Sequence, residues 1–158
     1  MRITGNILFG ICAALTLMLA ACDNGYDCSI NNVAYNRIGF YSGSEKLEFP
    51  EPLSISLVVN GNDSIIAADA QGEEEIALPM SYTHECDTVV FRYSGNIADT
   101  IFVSHRNIVY YQSMECGTVM YHRIGEVRHT RALIDSVAIM HNFVNFDANE
   151  NLRIYFAQ

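Results

Sequence analysis

From Val33 to the C-terminus, short stretches rich in Val, Ile, Tyr and Phe are separated by clusters of Gly, Asn, Asp and Pro. Alternation over four to eight residues is the signature of half-buried strands, and no stretch sustains the 3.6-residue period of a helix. The pattern predicts strands near Val33–Tyr41, Leu53–Asn60, Ser64–Ala70, Glu75–Met80, Thr88–Ser94, Thr100–His105, Val109–Met114, Thr118–Val127, Ile134–Asn142 and Leu152–Phe156. Two places specify pairing more closely. Leu53-Ser-Ile-Ser-Leu-Val-Val59 and Ser64-Ile-Ile-Ala-Ala68 flank Asn60-Gly61, a dipeptide that takes positive φ at both turn positions and so predicts a hairpin. Near the end, Val137 and Ile139 alternate with Ala138 and Met140 before a polar turn at Asp147–Asn151. In the strand that follows, Leu152, Ile154 and Phe156 are expected to face inward, with Arg153 and Tyr155 outward. Only Val127–Ile134 admits a helical turn. The regular spacing predicts an all-β fold, an antiparallel β-sandwich with Ig-like or Greek-key connections, with a small closed barrel as the alternative.

Before Val33 the pattern is of another kind. Arg2 is the one charge ahead of an apolar run from Ile7 to Leu19 that contains no ionisable side chain but Cys12. The run is shorter than the roughly 20 apolar residues of a spanning helix and has the length and flanks of a signal peptide. Leu19-Ala20-Ala21-Cys22 resembles the lipobox of bacterial lipoproteins, in which the cysteine is acylated before cleavage. Ordinary secretory cleavage after Ala20 or Ala21 is the alternative. The chain therefore divides into a lipoprotein signal peptide (1–21), a tether lipidated at Cys22 (22–32) and one domain (33–158), with the membrane as partner through the N-terminal lipid. Several acyl chains exceed the two signals that stable anchoring takes.

Cleavage changes the charge and cysteine counts. Without Arg2 the mature chain holds 8 basic and 18 acidic side chains, a formal charge of −10, which repels nucleic acid and anionic head groups. Cys12 is lost and Cys22 capped, leaving Cys28, Cys86 and Cys116 in an oxidising compartment. Cys28 precedes the first strand and Cys116 a later one. A disulfide between them would fasten the start of the domain to its second half and contribute roughly 4 kcal/mol by loop entropy. That pair is expected to be oxidised and Cys86 free, and a bridge through Cys86 is the alternative.

Catalytic and metal chemistry find little support. Asp147, Asn149 and Asn151 occupy the first, third and fifth positions of a calcium loop, but Leu152 stands where the loop needs Gly and Gln158 where it needs Glu. Glu73-Glu74-Glu75 reads as a solvated turn leading into a strand. His84, His105, His122, His129 and His141 are scattered, with none at i, i+4 to a second ligand. Ser42-Gly43-Ser44 lacks the second glycine of a nucleophile elbow. No metal, cofactor or catalytic residue is expected, and the chain is not expected to be an enzyme.

The cysteine at the lipobox, Cys28 before the first strand, Ile76-Ala-Leu-Pro79-Met80, Asp99-Thr100-Ile101-Phe102, Cys116-Gly117 and the closing strand Asn151–Phe156 resemble, in that order, a domain-of-unknown-function family of small Bacteroidales outer-membrane lipoproteins. The resemblance covers nearly the whole mature chain and implies no activity or cofactor. It does imply the outer membrane, with the periplasmic or surface-facing side open. It also implies a modification, since such bacteria attach glycans at Asp-Ser/Thr followed by a small or aliphatic residue. Ser64, Thr88, Thr100 and Ser136 stand in such tripeptides, although a turn aspartate before a strand produces the same pattern. The function expected is that of a lipid-anchored envelope protein acting as a binding or assembly component, with an envelope protein as partner. A glycan-binding module, suggested by nine Tyr and eight Phe, is the alternative, and an unrecognised enzyme comes third.

Overall fold

The computed structural model describes residues 33–157 apart from 49–52, 69, 71 and 115. Eleven strands form two sheets: β1 (Tyr35–Ser42), β2 (Glu45–Lys46), β3 (Ser54–Val59), β4 (Asn62–Ala67), β5 (Glu75–Pro79), β6 (Cys86–Arg92), β7 (Ala98–Ser113), β8 (Gly117–His129), β9 (Ile134–Ile139), β10 (Phe143–Val144) and β11 (Leu152–Phe156). One sheet runs β10-β8-β7-β6-β3-β4 and is antiparallel throughout. In the other, β1 lies beside β11, which pairs with β9, while β2 and β5 divide the opposite edge of β1.

The fold is an all-β sandwich, as the strand pattern predicts. Among the described residues neither sheet closes, so the barrel alternative falls. The expectation of a purely antiparallel fold needs one correction, because β1 and β11 pair in parallel, with Ile38 opposite Leu152 and Phe40 opposite Ile154. A parallel pair needs a long crossover, and here the connection is nearly the whole domain.

Alternation decides which side chains fill the space between the sheets. Ile38 and Phe40 of β1 and Leu152 and Ile154 of β11 meet Ile55, Val89, Phe91, Ile101 and Ile124 of the facing sheet, all almost wholly buried. Phe40 sits edge-on to Phe91 at 6.2 Å and to Phe156 at 6.1 Å, the geometry that ring quadrupoles favour. The inward Leu152, Ile154 and Phe156 and the less buried Arg153 and Tyr155 agree with expectation. So does the turn between β3 and β4, where Asn60 and Gly61 take φ of 52° and 78°.

The structure departs from the pattern where polar residues were read as turns. Arg106 and Asn107 do not break the chain, so the expected strands Thr100–His105 and Val109–Met114 are one, β7, with a bulge at Ser104/His105. The stretch Val127–Ile134 holds no helix and instead finishes β8 and crosses to the other sheet. The loop before β11 is also more than a turn, since β10 leaves to pair with β8.

Two buried polar residues hold these crossings. Asp99 on β7 accepts hydrogen bonds from the Thr130 hydroxyl (2.7 Å) and from the backbone N–H groups of Ala132 (2.8 Å), Leu133 (2.7 Å) and Ile134 (3.0 Å), capturing the β8–β9 crossing. Burial alone would raise its pKa. These four donors outweigh burial and hold the carboxyl below its ordinary value. Asn151 accepts from the Arg37 N–H (3.0 Å) and donates to the carbonyls of His141 (3.0 Å) and Phe143 (3.3 Å), pinning the loop around β10.

Candidate functional site

Three regions carry chemistry the core does not need. The first is a buried polar cluster where β6 begins. His105 on β7 and His122 on β8 are both nearly inaccessible, their rings 5.2 Å apart and edge to face. The register of the β7–β8 hairpin sets Asn107 opposite His122, and the Asn107 Oδ1 lies 2.8 Å from His122 Nδ1. Asp87 on β6 approaches His105 Nε2 to 3.1 Å while accepting the Ser81 N–H. Tyr82 stacks on His122 at 5.8 Å. Desolvation, reinforced by His105, lowers the His122 pKa to about 4, so its imidazole is neutral at pH 7.

This cluster was not legible as a site, because His105 and His122 become neighbours only through hairpin register. The nearby Ser81 Oγ accepts the N–H groups of Thr83 (3.3 Å) and His84 (3.0 Å) in a local turn and lies 3.2 Å from His84 Nδ1. Among the described residues, no group of three or more His, Cys, Asp or Glu side chains is placed to hold a metal ion. The cluster's evident work is to tie the segment 81–87 to the β7–β8 hairpin.

The second region is a cleft of about 530 Å³ lined by Ile124, Met140, His141, Asn142, Phe143 and Asn149, among others. Its loop is stiffened from below by Asn151 and from within by the Asn145–Asp147 pair: the Asn145 amide donates to Asp147 Oδ2 (2.9 Å), and its Oδ1 accepts the Asp147 N–H (3.0 Å). Asp147, the first position of the calcium-like spacing, thus closes an Asx turn begun by Asn145.

The third is the far half of the β7–β8 hairpin, here called the arm. β6 begins at Cys86, opposite Ser104. Beyond that level Asn107–Ser113 pairs, among the described residues, with β8 alone. Val109, Tyr110, Tyr111 and Met114 are exposed. Tyr110 stacks on Tyr121 at 4.8 Å, and Tyr121 meets Phe143 and Phe146 at 5.6 and 5.2 Å.

The expected site residues fall in different places. Cys22 and Cys28 lie outside the described residues. Cys86 is a free, exposed thiol, whereas Cys116, in the turn of the arm, is engaged. The four tripeptides divide into two classes. Ser64 on β4 and Ser136 on β9 are exposed on edge strands, whereas Thr88 and Thr100 are half-buried on the central strands β6 and β7. In the second class the aspartates Asp87 and Asp99 already have structural partners. The carboxylates of the 73–75 run are also partly committed, Glu74 to Lys46 (3.7 Å) and Glu75 to Arg37 (3.0 Å).

Residues 53–156 match a family model described as a family of unknown function, DUF6452. No curated protein matches the chain, and no solved structure does.

Proposed function

The chain belongs to DUF6452, a family of unknown function, and from that premise we propose that it is a lipid-anchored protein of the outer membrane that works by binding rather than by catalysis. The observation that carries the binding half is the outer edge of β4. β4 is the last strand of its sheet, and Ile65 (64% exposed) and Ile66 (44%) stand on it in the open. It has no Pro and no Lys, two of the devices that ordinarily blunt an edge, and its one irregularity is the bulge at Ile66, where its pairing with β3 shifts. An extended segment of an envelope protein adding to this edge would gain backbone hydrogen bonds, with Ile65 and Ile66 supplying apolar contact.

The anchoring half rests on Leu19–Cys22. The Cys28–Cys116 disulfide belongs to the same proposal, and non-reducing peptide mapping reads it directly.

The glycan-binding alternative has its own observation. The cleft presents the amides of Asn142 and Asn149, which both donate and accept, beside Phe143, a combination suited to a neutral sugar. O-glycosylation belongs to the same proposal, with Ser64 and Ser136 the accessible acceptors.

Replacing Cys22 with Ala is expected to move the protein from the membrane to the soluble fraction, and unchanged fractionation would sink the anchor. Ile65→Lys is expected to abolish crosslinked co-purification of a partner without changing Tm. Retention of the partner would reject the β4 edge.

A further inference from the structure

We propose that the tip of the arm, formed by Val109, Tyr110, Tyr111 and Met114, rests on the lipid surface that carries the anchored cysteine. This rests on the anchored reading above, and three independent features of the domain select the bilayer as the occupant of this exposed patch.

The first is the direction from which the chain enters. The bridge from Val33 to Met120 is parallel, and β8 runs from the arm tip at Gly117 toward the sandwich at His129. The chain therefore reaches Val33 from the tip side. Met120 pairs in turn with Val109, which puts the entry point level with the exposed patch.

The second is reach. Val33 lies eleven positions after Cys22. Eleven residues fully extended span at most about 40 Å, and a flexible segment of that length averages roughly 18 Å end to end. From Met120 back to the end of β8 at Gly117 is roughly 10 Å at strand rise. A tether of this length is therefore long enough to let the tip meet the surface that holds an anchored Cys22.

The third is composition. From Asn107 to Met114 no residue is charged, and Glu115 is the one acid between Asn107 and His122, in a chain whose formal charge is −9. The arm is therefore repelled by anionic head groups far less than the acidic remainder of the chain. Its exposed residues are of the kind an interface favours. Met114 is 90% exposed, Val109 67% and Tyr111 58%, and tyrosine places an apolar ring and a polar hydroxyl across the boundary between hydrocarbon and water. Docking this tip leaves β4, at the far edge of the same sheet, free for a partner.

The chain contains no Trp, so one introduced Trp reports its own surroundings. Lipidated full-length protein carrying Tyr111→Trp, with Met114→Trp as a second reporter and Ile65→Trp on β4 as control, is reconstituted into phosphatidylcholine vesicles with or without bromine on the acyl chains. Both arm reporters are expected to lose at least half their emission to the brominated lipid, and the control to lose none. Vesicle-bound protein whose arm reporters are unquenched overturns the docking and leaves the anchor standing. Protein that fails to float with the vesicles overturns both. A blue shift of the arm reporters that appears without lipid and grows with protein concentration assigns the patch to a second copy of the chain, and also overturns the proposal.

Discussion

β7 and β8 run through two regions that differ in everything except secondary structure. From Ala98 to Ser104, β7 lies between β6 and β8 and faces a second sheet, so Asp99, Ile101 and Val103 are buried. From Asn107 to Ser113 the same strand has one neighbour and no covering layer among the described residues, and Val109, Tyr110 and Tyr111 stand exposed. Both halves are rich in β-branched and aromatic residues. The difference teaches that β-forming sequence specifies a strand, and that burial comes from a second layer the strand does not encode. The boundary is the buried His105–His122 pair, where the inward column turns from aliphatic to polar.

The comparison breaks most severely in the sandwich half. Asp99→Ala removes an acceptor shared by four donors and leaves the buried Ile134 N–H and the part-buried Ala132 and Leu133 N–H groups without it, which is expected to cost roughly 2–3 kcal/mol in urea unfolding. Because folding depresses the Asp99 pKa, its contribution is present above the ordinary carboxyl value and lost as pH falls through the folded value. A cost below about 1 kcal/mol would show that the β8–β9 crossing is held by other contacts.

At the boundary the effect is conditional on pH. His122 titrates near 4 in the folded chain against an ordinary 6.5, so on acidification the unfolded chain takes the proton first. Stability is full above about pH 6.5 and declines toward pH 4. His122→Phe, which keeps a ring against Tyr82, is expected to flatten that decline in Tm, and an unchanged slope would remove His122 as its source. In the arm, Tyr111→Ser is expected to shift stability by no more than about 0.5 kcal/mol in solution. A larger loss would mean that the arm is packed rather than presented.

Much of the fold was legible along the chain. All ten predicted segments overlap strands, eight of them one to one and two as the halves of β7, so no predicted strand is lost. The Asn60-Gly61 turn and the inward face of β11 were equally readable, because each follows from rules acting over a few residues. β2 and β10 were not, since two-residue strands have no period to detect. Nor was the continuity of β7 through Arg106 and Asn107, where polar residues signal a turn unless the strand's surroundings leave them in solvent. Of the site, the free Cys86 was anticipated, whereas the histidine pair and the cleft depend on residues far apart in sequence.

By itself, then, the sequence determined the class of the fold, its hairpin turn and its inward faces, because alternation and turn chemistry are local properties of the backbone. The parallel pairing of β1 with β11, the commitment of Asp87 and Asp99 to structural bonds, the meeting of His105 with His122 and the exposure of the arm were decided only by the tertiary structure. Each depends on which strands become neighbours and where the second layer stops, and those are set by the joint burial of the whole core.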